Sequence, residues 1–167
     1  IGIIDYGCGN VASLASALKK QNADFLISNR HSELNYCSKF ILPGVGAFPY
    51  AMDKLQELDL VSFIQDKAKI NSPILGICLG MQLLFENSEE FGGCEGLGIL
   101  SGQVKKLPES FPILPNIGWW GLRVQHNKNL FNLIEEDTFY FVHSFYCCPV
   151  NPKTQINLAH DNAEVCA

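Results

Sequence analysis

The 167-residue sequence lacks the features that would place it in several large functional classes. It has no cluster of lysines and arginines, and its formal net charge is -5, so a nucleic-acid partner is not expected. No apolar run approaches the roughly 20 residues that a membrane-spanning helix needs, and no signal peptide is visible. These absences favour a cytoplasmic protein that binds neither nucleic acid nor a membrane.

The seven cysteines do not show the spacing that is typical of zinc sites or disulfide frameworks. Their number is odd, and no two of them are separated by two residues as in a CxxC pair. Reduced thiols are typical of a cytosolic protein. We therefore expect no disulfide framework, no metal site and no cofactor.

One cysteine, Cys78, lies in a pattern that is typical of a nucleophile elbow, the sharp turn that exposes a catalytic residue between a strand and a helix. Gly76 and Gly80 flank it at two residues on each side, where larger side chains would collide. A helical pattern follows at 83–86, and a helix that starts behind the sulfur favours the reactive thiolate. A buried structural cysteine is the alternative interpretation of this motif taken alone.

The order of predicted elements indicates an α/β fold. Four apolar runs predict strands at 1–5, 24–28, 39–42 and 73–77. Helical spacing predicts one helix at 11–21 and one or two within 50–69. This alternation predicts βαβ units and a mostly parallel central sheet with flanking helices.

After Gly92 the pattern changes to strands joined by turns. The predicted strands are 98–107, 117–125, 138–146 and 154–159. This pattern predicts an antiparallel strand extension of the same domain, so that residues 1–167 form a single domain.

Three glycine-rich turns, at 7–10, 43–46 and 76–80, follow the first, third and fourth predicted strands. In a parallel sheet, the carboxyl ends of the strands meet at one edge, which is where ligands bind. A cysteine nucleophile also needs backbone N–H groups that stabilise an oxyanion. The N–H groups of Leu79 and of a residue in Pro43-Gly44-Val45-Gly46 are the candidates.

The general base is harder to assign from the residues. Of the four histidines, His143 is the best candidate, because it lies in the apolar segment Phe141-Val142-His143-Ser144-Phe145. A half-buried structural histidine is the alternative interpretation of the same pattern.

The motifs together resemble those of class I glutamine amidotransferases, and among these the glutaminase subunits of imidazole glycerol phosphate synthases. The segments that carry the resemblance are Asp5-Tyr6-Gly7-x-Gly9-Asn10, Pro43-Gly44-Val45-Gly46-x-Phe48, Gly76-Ile77-Cys78-Leu79-Gly80-Met81-Gln82, Gly96-Leu97-Gly98, Gly118-Trp119 and Tyr140-Phe141-Val142-His143-Ser144. They occur in order and cover almost the whole chain.

The resemblance implies that Cys78 attacks the side-chain amide of glutamine and forms a glutamyl thioester. The backbone of Val45 and Leu79 would then hold the oxyanion. By the same resemblance, the residues that bind the glutamine are Gly46, Gln82, Glu90 and Ser144.

The resemblance also implies a partner. Ammonia would pass to a synthase subunit with a (β/α)₈ barrel, which makes imidazole glycerol phosphate in histidine biosynthesis, and the two subunits would form a heterodimer. The positions that match the partner interface are Asn10, Trp119 and Tyr140.

Two features limit what the resemblance implies. The chain starts at Ile1 inside an apolar strand, with no Met before it, and stops at Ala167 in mid-pattern, so we expect that it is cut at both ends. The family's catalytic histidine and glutamate belong to a later Phe-His-Pro-Glu segment, so we expect that the base lies beyond residue 167 and that this piece alone is inactive. The chain also has Asn116 and Trp120 where the family usually has His and Asn. This leaves open a glutaminase that serves a surface-sugar amidotransferase, or an inactive partner-binding module.

Overall fold

A four-stranded parallel sheet in the order β2-β1-β3-β4 organises the first part of the chain. The computed structural model describes residues 1–111, 114–124, 138–151 and 156–158, and the chain divides into two units at Ile1–Leu100 and Ser101–Ala167. The strands of the parallel sheet are β1 Gly2–Ile4, β2 Leu26–Ser28, β3 Phe40–Leu42 and β4 Ile74–Gly76. The predicted α/β class with a mostly parallel sheet is confirmed.

Helices connect these strands. The helices are α1 Val11–Lys20, α2 His31–Leu34, α3 Phe48–Glu57 and α4 Leu60–Lys69. The predicted 50–69 segment is therefore two helices, which meet at Asp59, a residue with a left-handed backbone (φ 56°). All three residues of β1 and of β3 are buried, which explains why both strands are continuous apolar runs in the sequence.

The chain after Cys78 differs from the prediction. Helix α5 covers only Leu79–Leu83, and residues Phe85–Ser88 form strand β5 instead of a continued helix. Strand β5 pairs antiparallel with β6 (Cys94–Glu95), and Leu83, Leu84 and Phe85 are all buried. The predicted helix at 83–86 is wrong because pairing with a later strand overrides the local pattern.

Antiparallel strands form the second unit, as predicted. Strand β7 (Leu100–Lys106) pairs with β10 (Phe145–Pro149), and β8 (Asn116–Val124) pairs with β9 (Thr138–His143) and β11 (Ile156–Leu158). The predicted strand at 138–146 is thus two strands, separated at Ser144. Parts of the predicted strands at 117–125 and 154–159 lie outside the described residues. The single-domain organisation stays a prediction.

Two inward-facing polar side chains pair in the second unit. Asn116 is fully buried, and its side-chain amide donates to His143 Nε2 at 2.7 Å. Because the Phe145 carbonyl can only accept, His143 Nδ1–H donates to it at 2.9 Å, which assigns the neutral tautomer. Burial lowers the pKa of His143, and the bond to Phe145 only partly opposes this effect.

Within the ranges that the structure describes, no helix is both long and apolar enough to cross a membrane.

Replacing Gly80 by alanine should strongly destabilise the first unit. A Cβ atom on Gly80 would lie 1.9 Å from the Leu42 carbonyl oxygen, so backbone must move to admit it. Urea unfolding of Gly80→Ala should show a loss of about 3 kcal/mol. Gly2→Ala is the control, because its nearest neighbour would be a Phe40 side-chain atom at 3.1 Å, and it should lose about 1 kcal/mol. Equal losses in both variants would contradict this packing argument.

His143 should make stability depend on pH. Because its pKa is lowered by folding, the unfolded chain binds a proton, with a pKa of about 6.5, before the native chain does. The contribution of neutral His143 to the free energy of unfolding is therefore complete above that pH. It is lost as the pH falls towards the native pKa, and the free energy of unfolding then changes by at most about 1.4 kcal/mol per pH unit. The free energy of unfolding should be measured between about pH 5 and 8, in steps of about one pH unit. The parent should show this slope, and His143→Asn should show a smaller one. Parallel curves would show that His143 does not carry the linkage.

Candidate active site

Cys78 sits at a strained strand-to-helix turn. Its backbone has φ 54° and ψ -118°, a combination that costs a non-glycine residue about 1–3 kcal/mol. The carbonyl of Cys78 accepts hydrogen bonds from Met81 N–H at 2.9 Å and Gln82 N–H at 3.2 Å, which turns the chain directly into α5. The side chain is exposed. This geometry is that of a nucleophile elbow.

The glycines around Cys78 are required by close backbone contacts. A Cβ atom on Gly76 would lie 2.5 Å from Met81 Cα, and one on Gly80 would meet the Leu42 carbonyl. Helix α5 has only five residues, so the turn is fixed by these contacts and not by a long helix. The N–H of Leu79, the first residue of α5, has no partner within the helix because the helix begins there.

The turn after β3 lies directly against the elbow. A Cβ atom on Gly44 would lie 2.5 Å from Gly80 N and 2.8 Å from Leu79 Cβ. The N–H of Val45 donates to the Cys8 carbonyl at 2.9 Å, so it is engaged with the turn after β1. Gly46 has φ +104°, and nothing lies within 4 Å of the position where its Cβ would be.

Tyr6, which enters the sequence analysis only as part of a motif, links the turn after β1 to the turn after β3. It is buried, and its hydroxyl donates to the Pro43 carbonyl at 2.8 Å. A polar aromatic residue at the end of a buried strand was the signal that could have identified it, since a buried tyrosine hydroxyl usually has a partner.

Cys8, the other cysteine in these turns, differs from Cys78 in its exposure to solvent. Cys8 is buried, and burial raises the pKa of its thiol while Lys54 partly opposes the effect. Burial is also the main cause that raises the pKa of Cys94. Among the six cysteines that fall in the described ranges, Cys78 alone is exposed, and none of the six is in a disulfide.

Two of the predicted glutamine-binding residues follow Cys78 in the first unit. Gln82 is half-buried on α5, one turn after Cys78. Glu90 begins a short 3-10 turn, and its Oε2 accepts from Phe48 N–H, the first N–H of α3, at 2.7 Å. The turn that contains Gly46 runs into α3, so Glu90 anchors the end of that turn. Sequence reasoning did not identify this contact.

Ser144, the remaining predicted glutamine-binding residue, is in the second unit. It separates β9 from β10, and its carbonyl accepts from Leu107 N–H at 2.8 Å.

The predicted interface residues are exposed. Trp119 and Tyr140 are cross-strand partners on β8 and β9, their ring centroids are 5.6 Å apart, and they are 67% and 55% exposed. Ile117 and Val142 form the next exposed cross-strand pair. We call Ile117, Trp119, Tyr140 and Val142 the outer apolar face. Strand alternation from Trp119 and Tyr140 could have identified the other two residues.

Asn10, the third predicted interface residue, lies in the first unit. It is exposed and is the N-cap of α1, where its Oδ1 accepts from Ser13 N–H at 3.1 Å.

The two departures from the family pattern are not part of the outer apolar face. Asn116 is buried against His143, and Trp120 packs against Leu107 and Phe111 in the core of the second unit. Both substitutions therefore change the interior of the second unit and leave the exposed surface of β8 and β9 as it is.

Across the described part of the chain, no group of three or more His, Cys, Asp or Glu side chains is arranged as a metal site.

Comparison with known proteins agrees with this geometry. The family model "Glutamine amidotransferase class-I" matches residues 2–167. An imidazole glycerol phosphate synthase subunit HisH from Bacillus cereus (strain B4264) is 48% identical over 151 residues, which are 89% of this chain and 72% of the relative. The subunit of the same name from Bacillus anthracis (strain CDC 684 / NRRL 3495) is 47% identical with the same coverage.

A solved structure supports the fold. A crystal structure described as a glutamine amidotransferase has a TM-score of 0.65 and covers 95% of this chain and 73% of its own, at 16% identity. That likeness concerns the fold alone, whereas the sequence matches identify the family. The chain belongs to the class-I glutamine amidotransferases.

Proposed function

We propose that this protein is the glutaminase subunit of an imidazole glycerol phosphate synthase in histidine biosynthesis. The observation that carries the proposal is the exposed Cys78 at a strained elbow, with the turn after β3 packed against it. The 47–48% identity to HisH subunits supports the choice of acceptor. The proposal is also supported by the positions of Asn116, which is buried, and Trp120, which is partly buried, because neither belongs to the outer apolar face.

The proposed reaction begins at the sulfur of Cys78. The thiolate attacks the carbonyl carbon of the glutamine side-chain amide, and the carbonyl oxygen becomes an oxyanion. Collapse of this intermediate breaks the C–N bond, and the nitrogen leaves as ammonia after it accepts a proton. Water then attacks the glutamyl thioester and releases glutamate and the Cys78 thiol.

The oxyanion is held by the backbone N–H groups of Leu79 and Val45. The Leu79 N–H lies at the start of α5, next to the sulfur-bearing residue. The Val45 N–H is bonded to the Cys8 carbonyl in this structure, so it must turn towards Cys78 to contribute. The glycines on either side of Val45 allow this rotation, and Gly46 already has φ +104°. The glutaminase is therefore switched by a single peptide unit.

In the first unit, the proposed glutamine-binding residues are Gly46, Gln82 and Glu90. Ser144, in the second unit, is the fourth glutamine-binding candidate of the proposal. The carboxylate of Glu90 supplies a negative charge for the ammonium group of glutamine. His143 is not the general base in this proposal, because both of its ring nitrogens have partners, Asn116 and the Phe145 carbonyl.

The partner is a synthase subunit with a (β/α)₈ barrel, bound as a heterodimer in the cytoplasm. The outer apolar face fits such an interface because exposed aromatic residues are enriched where proteins dock. Asn10 is the third interface position in this proposal. Free thiols at all six described cysteines fit a reducing compartment.

The acceptor is tested by reconstitution. The full-length gene product and the (β/α)₈ synthase subunit of the same organism should together convert glutamine-derived nitrogen into imidazole glycerol phosphate. Glutamate release without this product would favour a different acceptor, such as a surface-sugar amidotransferase. Absence of glutamate release would favour an inactive partner-binding module.

Cys78→Ala should abolish glutamate release by the full-length protein bound to its partner, by at least about 10⁴-fold, because the nucleophile is removed. An electrophilic glutamine analogue should label Cys78 before the other cysteines, as peptide mapping by mass spectrometry would show. Cys148→Ala, at a half-buried cysteine on β10, is the matched control and should keep both activity and labelling. Uniform labelling of all cysteines would contradict the assignment of Cys78 as the nucleophile.

The free full-length subunit should hydrolyse glutamine slowly, because its Val45 N–H is engaged with Cys8. Partner and partner ligand should raise kcat by about 10²–10³-fold, the contribution of one oxyanion donor, and should change KM much less. Steady-state glutamate release with and without the partner measures both constants. A free subunit that already works at the full rate would contradict the proposed switch.

A further inference from the structure

The turn that carries Val45 is fixed where it begins. Tyr6 is 2% exposed, and its hydroxyl donates to the Pro43 carbonyl at 2.8 Å. The next residue, Gly44, is enclosed by the elbow and by Tyr6, since a Cβ atom there would lie 2.5 Å from Gly80 N and 2.9 Å from the Tyr6 oxygen. The Pro43–Gly44 peptide therefore has one bonded oxygen and no space in which to move.

The turn is also fixed where it ends. Phe48 is fully buried, and its N–H donates to Glu90 Oε2 at 2.7 Å. Pro49 follows Phe48 in the first turn of α3, where its restricted φ suits the helix. The helix start is thus held by a carboxylate from a different part of the chain.

The middle of the turn is open. The Val45 side chain is 56% exposed, and the space around the Gly46 Cβ position is empty to 4 Å. The Val45 N–H is held by its bond to the Cys8 carbonyl. A rotation of the Gly44–Val45 peptide would break that bond while the two ends of the turn stay in place.

We infer that Tyr6 is a positioning residue for the oxyanion donor: its hydroxyl fixes the Pro43–Gly44 peptide and confines the reorientation of the turn to the Gly44–Val45 peptide. This role rests on the proposed function and deepens it. Tyr6 acts through the turn and does not itself contact the reacting atoms. Removal of its hydroxyl leaves the Pro43–Gly44 peptide less firmly fixed, so the Val45 N–H is held less well in either orientation.

The chemistry of Tyr6 fits a permanent donor. Burial raises the pKa of its hydroxyl, and the charges of Cys8 and Cys78 raise it further. The hydroxyl therefore keeps its proton when Cys78 is a thiolate, and the bond to Pro43 persists in the reactive state.

The first test measures amide hydrogen exchange at Val45 by NMR in the free, full-length protein. Tyr6→Phe keeps the ring and removes the hydroxyl, and it should speed exchange at Val45 by about fivefold, the factor for one neutral hydrogen bond. Amides of β3 serve as the internal reference for global opening. Ser28→Ala is the matched control, because it removes another buried hydroxyl on β2 and should leave exchange at Val45 unchanged relative to that reference.

The second test measures glutamate release with saturating partner. Tyr6→Phe should lower kcat by about fivefold per labelled Cys78 and leave KM for glutamine unchanged, because the oxyanion donor acts in the transition state. A merely structural role would reduce the number of sites that the electrophilic glutamine analogue labels, and not the rate per site.

Unchanged exchange at Val45, or an unchanged kcat per labelled site in an active parent, overturns the inference. If the parent itself releases no glutamate, the proposed glutaminase function fails. The exchange experiment then still decides whether Tyr6 positions the turn, since it does not depend on activity.

Discussion

The close contact between the turn after β3 and the elbow after β4 is the constraint on which the candidate active site depends. The Leu42 carbonyl lies where a Gly80 side chain would be, and Gly44 lies against Gly80 N. Parallel pairing of Leu42 with Gly76 brings both turns to the same edge of the sheet. At this contact Cys78 adopts its strained backbone conformation, and the residue is exposed.

Around this contact, the two ends of the turn after β3 are held by hydrogen bonds, and the middle of the turn is exposed. Tyr6 and Glu90 bond to the two ends of the turn, at Pro43 and Phe48, and both ends are buried. Val45 and Gly46 between them are exposed. The reorientation that we propose for the Gly44–Val45 peptide would need this arrangement, because rotation of a loosely held segment would not place an N–H within hydrogen-bonding distance of an oxyanion.

Strand alternation separates interior from exposed side chains in the second unit. One face of β8 and β9 carries Asn116, Trp120 and His143 into the interior, and the other presents the outer apolar face. Adjacent residues in the sequence therefore differ in what limits their substitution: packing for those that face the interior, and exposure to solvent for those on the outer apolar face. Substitution at Asn116 or Trp120 reshapes the interior, whereas substitution at Trp119 or Tyr140 changes the exposed surface. Departures from a family pattern acquire a meaning only when the face of the strand is known.

The sequence by itself determined the parallel sheet, the glycine-rich turns and the elbow, because apolar runs, helical spacing and the need for glycine are local properties. The family resemblance also assigned Trp119 and Tyr140, from two separate motifs, to the same predicted interface. Only the tertiary structure decided that residues 85–88 are a strand, that Val45 donates to Cys8, and that Tyr6 and Glu90 hold the turn. The three hydrogen bonds, from Val45 to Cys8, from Tyr6 to Pro43 and from Phe48 to Glu90, join residues 37 to 42 positions apart, and no local pattern specifies which distant group a donor or acceptor will meet.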